Sequence, residues 1–468
     1  MSNSEDILGT APVGRLMTKF AIPSIIGMLV SALYNIVDQL FIGQEVGLLG
    51  NSATNVAFPL STSCTALALL FGIGGASCFN LAMGSGEKKK APFFIGNSVT
   101  LLAASGIILM IITLCFLTPL LKLFGSPDDV LPYAQDYVRI SAYGFPFLIL
   151  ATGGGHLVRA DGAPRITMLC NLSGAVINTA LDAVFVPGLH WGMKGAALAT
   201  IIGQFVSAVI VIAYMFKFKT VPLKLSHFRP RLKIILRTAS IGMASFFNQI
   251  AMMIVQVVMN NLLKKYGAES IYGESIPLAC SGIVMKVNMI IASIVIGLSQ
   301  GSQPIESYNY GARNYGRVRK AYFLALWIGA GISVVAFAMF MIFPVEILSL
   351  FGKDEEPIYY EFGAKFFRIF LLFTWLNCVQ PITSTFFTSI GKPIKGVFLS
   401  LTRQIIFFLP LLIILPLFFQ IDGLLYTGPV ADFISAIVCI AMLTHEFKNM
   451  KKLEQEALSE KAELSEKA

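Results

Sequence analysis

Charged residues are scarce in this chain of 468 residues, where Asp, Glu, Lys and Arg together make up 13%. Soluble domains carry about a quarter. Tryptophan and histidine are also rare, with three and four copies, whereas apolar residues reach 56%. No soluble core could bury so much apolar surface, so the composition excludes a soluble globular protein and predicts a polytopic membrane protein.

Cysteine pairing is also lacking. There is no Cys-x-x-Cys motif and no ligand-like spacing to the four histidines, which argues against a metal centre or a disulfide framework. All seven cysteines lie in apolar runs and are predicted to be packing residues: Cys64, Cys78, Cys115, Cys170, Cys280, Cys378 and Cys439. The start lacks a signal peptide with a cleavage site, so the first apolar run is predicted to be a retained span.

Long apolar runs predict an all-α fold with twelve transmembrane helices, because each run can cross a bilayer as a helix. The predicted spans are about 19–43, 54–82, 92–118, 133–158, 164–188, 191–216, 234–263, 276–303, 318–343, 358–388, 393–418 and 421–446.

The positions of lysine and arginine predict the orientation. With the N-terminus inside, the cytoplasmic segments hold 23 of these residues and the opposite loops hold five. Cytoplasmic loops are the basic ones in membrane proteins, so both termini are predicted to be cytoplasmic. The net charge of +9 is therefore a topology signal, and no nucleic-acid partner is expected.

The two halves of the chain repeat each other. The segment 71–77 matches 296–302, Leu123-Phe124-Gly125 matches Leu350-Phe351-Gly352, and Pro187 matches Pro416. Such regular offsets indicate an internal duplication of six spans. The predicted organisation is an N-lobe (1–216), a basic cytoplasmic linker that serves as hinge (217–233), a C-lobe (234–447) and a charged tail (448–468). Two similar lobes around a cleft are typical of an alternating-access transporter.

Asp38 is the only charge in the apolar run from Phe20 to Gly43. An ionisable group at membrane depth is costly and is a functional-site candidate by default. Counting 1.5 Å per helical residue places Asp182, Asn178 and Thr200 in the same layer, in the outer half of the N-lobe. Asn178 and Asp182 share a helix face because they are four residues apart.

Two carboxylates, an amide and a hydroxyl can bind a hard cation such as Na⁺. Alternatively, two neighbouring carboxyl groups can share a proton. The remaining alternative is a hydrogen-bonded polar cluster that only holds helices together.

The C-lobe has a different set of polar side chains, which we expect to pair internally, with Asp432 neutralising at least one cation. Static stabilisation and gating are both open roles. The set comprises Lys286, Arg403, Asp432, Gln256 and Glu306.

Flexible methionines and aromatic rings suit a cavity that accepts many shapes, although lipid-facing or core packing is the simpler alternative. The cavity candidates are Met252, Met253, Met285, Met289, Tyr143 and Phe147.

At these residues the chain resembles the MATE (multidrug and toxic compound extrusion) transporters, closest to their MepA-like bacterial branch. The resemblance covers nearly the whole chain. It is carried by three segments: Tyr34-Asn35-Ile36-Val37-Asp38, Asn178-Thr179-Ala180-Leu181-Asp182, and Gln300-Gly301-Ser302-Gln303-Pro304 with Asn309-Tyr310-Gly311-Ala312.

The resemblance implies twelve helices in two lobes that form a V. It also implies a monomer in the bacterial plasma membrane that confers drug resistance by exporting amphipathic cations against inward flow of H⁺ or Na⁺. No cofactor is expected. It assigns Asp38, Asn178, Asp182 and Thr200, with Tyr34 and Asn35, to cation coupling. The C-lobe acids of another MATE branch are not matched, because span 7 offers Gln249 and Gln256 and the middle of span 10 offers Asn377 and no acid. This argues against a second cation site at those spans of the C-lobe.

Two other functions were weighed. A flippase of lipid-linked precursors from the same superfamily would favour an Arg-lined cavity, whereas the N-lobe here is acidic. A membrane-embedded enzyme is not expected. Neither Asp38 nor Asp182 lies in the Gly-x-Gly-Asp motif of an intramembrane aspartyl protease. A prenyltransferase would need Asp-rich loops that bind Mg²⁺-diphosphate, whereas this chain has a lone Asp128-Asp129 pair on the outer side.

Overall fold

The computed structural model describes residues 7–273, 275–350 and 357–466, and within these ranges the chain is helical without β-strands. The N-lobe contains α1 (Ile7–Thr10), α2 (Val13–Glu45), α3 (Leu48–Gly84), α4 (Ala91–Cys115), α5 (Leu117–Leu123), α6 (Leu131–Ser141), α7 (Phe145–Ala160), α8 (Pro164–Ala183) and α9 (Gly192–Met215). The C-lobe contains α10 (Leu232–Ala268), α11 (Ser275–Gly311), α12 (Tyr315–Ile342), α13 (Pro344–Ser349), α14 (Pro357–Phe370), α15 (Val379–Ser389), α16 (Pro393–Leu401), α17 (Leu409–Ile414), α18 (Pro416–Phe419) and α19 (Ile421–Glu466).

Twelve crossings result from these helices. Eleven helical segments are individually long and apolar enough to span a membrane. The fourth crossing is divided into α6 and α7 by a 3₁₀ turn at Ala142–Gly144, just before Pro146 at the start of α7. The prediction of an all-α, twelve-helix fold is confirmed.

The fifth crossing of each lobe is interrupted by a π-helical segment. These segments are Val184–Gly188, directly after α8, and Thr402–Phe408, directly after α16. Each lies near a proline, which cannot donate a backbone hydrogen bond and so loosens the helix. The two segments do not match each other in the repeat, since Pro187 corresponds to Pro416, but each lies at a charged side chain: one directly after Asp182 and the other around Arg403.

The ends of the crossings that carry the basic segments meet on one side of the molecule, which we call the basic face. There Asn309 of α11 donates to the Leu8 carbonyl at 2.9 Å, and Arg317 of α12 reaches the carbonyls of Leu8 and Ala11 at 3.0 and 2.6 Å. The other side is the opposite face.

The two lobes touch through glycines in the half of the membrane nearest the basic face. A Cβ on Gly242 of α10 would lie 1.8 Å from the carbonyl oxygen of Leu70 in α3, and one on Gly74 would lie 2.1 Å from that of Thr238. A Cβ on Gly301 of α11 would lie 2.5 Å from the Cα of Ala21 in α2. Small residues permit such close helix crossings in membranes, so this junction depends on the absence of side chains.

Polar contacts across the same junction join buried side chains. Gln303 of α11 donates to the Ser77 hydroxyl of α3 at 2.7 Å. Arg159 of α7 donates to Gln300 Oε1 at 3.2 Å and lies 3.3 Å from His156 Nδ1. These bonds link the lobes and must break if the lobes separate on this side.

Toward the opposite face, side chains farther along the same helices are exposed, for example Phe58 of α3 at 50% and Met252 of α10 at 46%. The glycine contacts and the polar bonds described above lie nearer the basic face, so the lobes are joined on that side.

The linker between the lobes is docked onto the N-lobe. Asn97 of α4 is 1% exposed. It donates to the carbonyls of His227 and Arg229 at 3.0 and 3.2 Å and accepts from Arg231 N–H at 2.8 Å. The Arg231 guanidinium lies 3.6 Å from the centre of the Phe93 ring.

Asp161, in the turn after α7, holds the beginning of the linker. Its carboxylate accepts from the Tyr214 hydroxyl at 2.8 Å, from Lys219 N–H at 2.7 Å, and from both the N–H and hydroxyl of Thr220. Burial raises the pKa of Asp161, while these hydrogen bonds oppose that shift.

The charged tail is helical, because α19 continues to Glu466. Glu454 pairs with Arg319 of α12 at 2.7 Å, which attaches the first part of the tail to the C-lobe. Residues 467–468 lie outside the described residues.

Candidate cation site in the N-lobe

Asp38 and Asp182 meet because α2 and α8 run side by side in the same direction. A Cβ on Gly27 of α2 would lie 2.9 Å from the Asn171 amide nitrogen of α8, so the helices are in close contact there. Asp38 and Asp182 each lie eleven residues farther along. Eleven residues are close to three helical turns, so both carboxyl groups return to the contact face at the same depth.

Asn178 and Thr200 are brought together by close packing of α8 against α9. Gly203 of α9 lies so near α8 that a Cβ would be 2.7 Å from the Gly174 carbonyl oxygen. One turn farther along α8, Asn178 Nδ2 donates to Thr200 Oγ1 at 3.3 Å. All four side chains that depth counting placed in one layer therefore occupy the same site.

The site is rich in buried oxygens and poor in hydrogen-bond donors. The carboxyl groups of Asp38 and Asp182 lie within hydrogen-bonding range of each other. Asp182 is 0% exposed. Oδ1 of Asp38, both carboxyl oxygens of Asp182 and Oδ1 of Asn178 are buried without any donor. Because ionised carboxylates only accept hydrogen bonds, this arrangement requires a proton or a cation between them.

Tyr137 of α6 is a site residue that the sequence did not suggest. It interacts electrostatically with Asp38, Asp182 and Tyr34. Tyr34 also faces both aspartates. The neighbouring Asn35 is exposed, and its amide donates to the Ser31 carbonyl on its own helix at 2.7 Å. The amide is therefore engaged with its own helix and not with the aspartates.

A second carboxyl group of α2 lies outside the site. Glu45, at the end of the helix, pairs with His190 at 2.6 Å in the loop between α8 and α9. The pair sits at the surface, with the His190 side chain 74% exposed. Like the aspartate pair, it connects α2 to the region of α8, but its side chains are exposed to solvent.

In the C-lobe, Arg403 and Asp432 form a buried ion pair. Arg403 Nε lies 2.6 Å from Asp432 Oδ1, and the two side chains are 22% and 3% exposed. With its amide nitrogen turned toward the carboxylate, Asn377 donates to Asp432 Oδ2 at 2.8 Å. The π-helical segment that contains Arg403 positions this cation against α19.

The other members of the predicted C-lobe set lie elsewhere. Gln256 donates to Asn260 at 3.0 Å on its own helix. Lys286 is partly buried on α11 and makes no ion pair within the described part of the chain. Glu306 lies about five and a half helical turns beyond Lys286 toward the basic face, since 20 residues separate them on α11. Charge and depth in the sequence do not give the direction in which a side chain points, so the set was drawn too widely.

The predicted cavity residues are dispersed. Met252, Met289 and Tyr143 are exposed, and the Phe147 ring packs edge-on against Phe205 at 5.1 Å. Two cavities, of 480 and 150 Å³, lie by α13–α14 and at the basic face, and none of the predicted residues lines either of them. The assignment of these residues to substrate stays a prediction.

We expect Asp432→Asn to destabilise the C-lobe by about 3–5 kcal/mol, because it leaves Arg403 buried without its counter-charge. Adding Arg403→Met should recover most of the loss. The thermal unfolding midpoint of the purified protein would measure both changes. Normal stability and transport in the single variant would contradict a structural role for the pair.

Comparison with known sequences supports one family. The profile of the MatE family matches residues 23–184 and again 244–414, one match in each half of the chain. The multidrug export protein MepA of Staphylococcus haemolyticus is 25% identical over 447 residues, which cover 95% of this chain and 96% of the relative. MepA of Staphylococcus aureus MSSA476 is 25% identical over 92% of this chain and 94% of its own length.

Solved structures have the same fold. An outward-facing multidrug resistance MATE transporter of the MOP superfamily superposes with a TM-score of 0.88 at 23% identity, covering 97% of this chain and 99% of the other. A MOP superfamily transporter from Pyrococcus furiosus, described as having a binding pocket of reversed polarity, gives a TM-score of 0.89 at 22% identity, covering 96% and 99%.

Proposed function

We propose, from the premise that this chain belongs to the MatE family of multidrug efflux transporters, that it couples the export of amphipathic cations to the inward movement of H⁺ or Na⁺. The observation that carries the coupling is the group of four donor-free, buried oxygens at Asp38, Asp182 and Asn178. Such oxygens need a positive charge in their midst, and a partly exposed Asp38 beside a fully buried Asp182 lets an ion enter from the cleft.

The basic face is assigned to the cytoplasm because basic segments remain inside. The expected V then opens toward the outside, and both termini are cytoplasmic. In this arrangement the coupling ion reaches Asp38 from outside and binds between the two aspartates. No enzymatic chemistry is assigned to the site.

Alternating access follows if ion and substrate favour different arrangements of the lobes. A ligand shifts a conformational equilibrium only by its differential affinity for the two states. Ion binding at Asp38 and Asp182 draws α2 and α8 together, which changes the cleft wall formed by α2 and releases substrate outward. Parting of the glycine junction at the basic face would then open the site to the cytoplasm, where the ion leaves.

Amphipathic cations are the proposed substrates because the N-lobe carries uncompensated acids. The C-lobe guanidinium of Arg403 is neutralised by Asp432 and is not free to bind a pyrophosphate. That arrangement favours drug export over flipping of lipid-linked precursors.

Transport in proteoliposomes tests the proposal. The purified protein should accumulate a fluorescent organic cation in the vesicle lumen when H⁺ or Na⁺ is more concentrated in the lumen and flows out of it down its gradient. The two gradients are imposed separately. The gradient that works identifies the coupling ion. Substrate movement that ignores both gradients, or transport only of a labelled anionic lipid, would contradict antiport.

A further inference from the structure

Glu306 of α11 is a buried acid that the N-lobe site does not use. Its side chain is 0% exposed, and both carboxyl oxygens lack a hydrogen-bond donor. No ion pair of Glu306 occurs in the described part of the chain. An ionised carboxylate without a partner is very costly in such surroundings.

The position of Glu306 results from the packing of α11 on α15. The two helices run in the same direction toward the basic face. The Ser299 hydroxyl of α11 donates to the Pro381 carbonyl of α15 at 3.4 Å. Seven residues farther along α11 and eight along α15, Glu306 meets Ser389, while Ser302 lies one turn before it on its own helix.

The neighbouring hydroxyl groups have already used their hydrogens. Ser302 donates to the Ser299 carbonyl at 2.9 Å, and Ser389 donates to the Thr385 carbonyl at 2.8 Å. A hydroxyl has a single hydrogen to donate. With the two hydroxyls donating to these carbonyls, both serines present lone pairs to Glu306, and neither carboxyl oxygen of Glu306 receives a hydrogen bond.

Tyr322 of α12, the titratable side chain that faces Glu306 from that helix, is also occupied. Its hydroxyl lies 2.8 Å from Thr383 Oγ1. The Thr383 hydroxyl donates to the Val379 carbonyl at 2.6 Å. The Tyr322 hydroxyl is then the donor in its bond to Thr383. In this arrangement none of Ser302, Ser389 and Tyr322 donates a hydrogen bond to Glu306.

Nearby lysines do not supply the missing charge. Lys395 of α16 pairs with Glu446 of α19 at 2.6 Å, and Lys392 pairs with the same carboxylate. Neither contributes to the electrostatics of Glu306, whose interactions are with Ser302 and Ser389.

We propose that Glu306, with the hydroxyl oxygens of Ser302 and Ser389, is a second monovalent-cation site, located in the C-lobe near the basic face and occupied by H⁺ or Na⁺. A carboxyl oxygen with hydroxyl oxygens around it satisfies either ion: a proton turns Glu306 into the missing donor, and Na⁺ takes oxygen ligands directly. The site is separate from Asp38 and Asp182, and it does not depend on their proposed role in coupling.

Infrared difference spectroscopy of the purified protein in lipid tests this site. The Asp38→Asn/Asp182→Asn variant serves as background, since it removes the N-lobe carboxyl groups. Raising the pH without Na⁺ should remove the C=O stretch of a protonated carboxylic acid. The same change should be absent after adding Glu306→Gln.

The ion is identified at constant pH. Loss of the band on addition of NaCl, but not of KCl, assigns a site at which Na⁺ displaces the proton. Loss with pH alone assigns a proton site. Both outcomes support the proposal. A band that persists under both treatments while the protein stays folded would make Glu306 a permanently protonated structural acid and overturn it.

Two further measurements guard against a variant that fails to fold. Glu306→Asp keeps a carboxyl group and should shift the band without abolishing its response. In the same background, the thermal unfolding midpoint should depend on Na⁺ or on pH, because an ion that binds only the folded state stabilises it by mass action. Glu306→Gln should remove that dependence, and a dependence that survives it would contradict the assignment.

Discussion

Asp38→Asn is expected to abolish coupled efflux while leaving insertion and folding intact. Asparagine has almost the volume of aspartate, so the contact between α2 and α8 is preserved. It removes one of the two charges that require an ion, and its amide can donate permanently to Asp182. To switch a two-state protein almost completely, the ion must bind one arrangement of the lobes about 10⁴-fold more tightly than the other. We therefore expect gradient-driven transport to fall by at least about 100-fold.

Glu45→Gln is the matched control for this variant. It makes the same change from acid to amide on the same helix, two turns nearer the opposite face, in an exposed pair with His190. Surface pairs contribute about 0–1 kcal/mol, so transport should stay near the wild-type rate. Full activity of Asp38→Asn in proteoliposomes would refute the role of Asp38, whereas equal losses in both variants would point to a general effect on α2.

Gly242→Val is expected to hold the lobes apart at the basic face and stop the transport cycle. The added Cβ would lie 1.8 Å from the Leu70 carbonyl oxygen, and backbone cannot move aside as a flexible side chain can. Overpacking costs about 1–3 kcal/mol even where side chains can adjust. We expect this closed arrangement to be disfavoured by at least the upper end of that range, about 3 kcal/mol or roughly 100-fold.

Spin labels at Lys89 and Lys320, exposed positions on the basic side of each lobe, would measure the effect as a distance. Of the seven native cysteines only Cys115 is exposed, so replacing it by serine gives a suitable background. The distance should increase in Gly242→Val. Gly331→Val in α12 is the control, because nothing lies within 4 Å of its Cβ. An unchanged distance together with full transport would show that the junction tolerates the side chain.

Helical periodicity and depth were sufficient to place Asp38, Asn178, Asp182 and Thr200 in one layer of the N-lobe; their role in ion coupling stays a prediction. Asn178 and Asp182 share a face because they are four residues apart. Asp38 could be placed at the same depth because its distance from the helix end can be counted. The contact of α2 with α8 that brings the two acids together is a feature of the packing, seen where Gly27 lies against Asn171.

Contacts that depend on rotation about a helix axis could not be predicted. Tyr137 interacts electrostatically with both aspartates from α6, which ends just before the break at Ala142–Gly144. Gly144 and Pro146 signal that break in the sequence, but not the direction in which the Tyr137 side chain points. Lys286 and Glu306 were grouped with Asp432 by charge and depth. The 20 residues between Lys286 and Glu306 on α11 can be counted in the sequence, but whether either side chain points toward Asp432 depends on helix rotation, which a single sequence does not specify.

The linker between the lobes is a fixed part of the N-lobe and not a free flexible chain. Residues 217–231 are fastened to the N-lobe at Asp161 and Asn97, and α10 begins at Leu232. The chain that is free to move between the docked linker and α10 is therefore about one residue long, whereas an undocked linker would leave about fifteen. A movement of the lobes such as the one proposed above would therefore carry the linker with the first lobe and place the pivot at the start of α10.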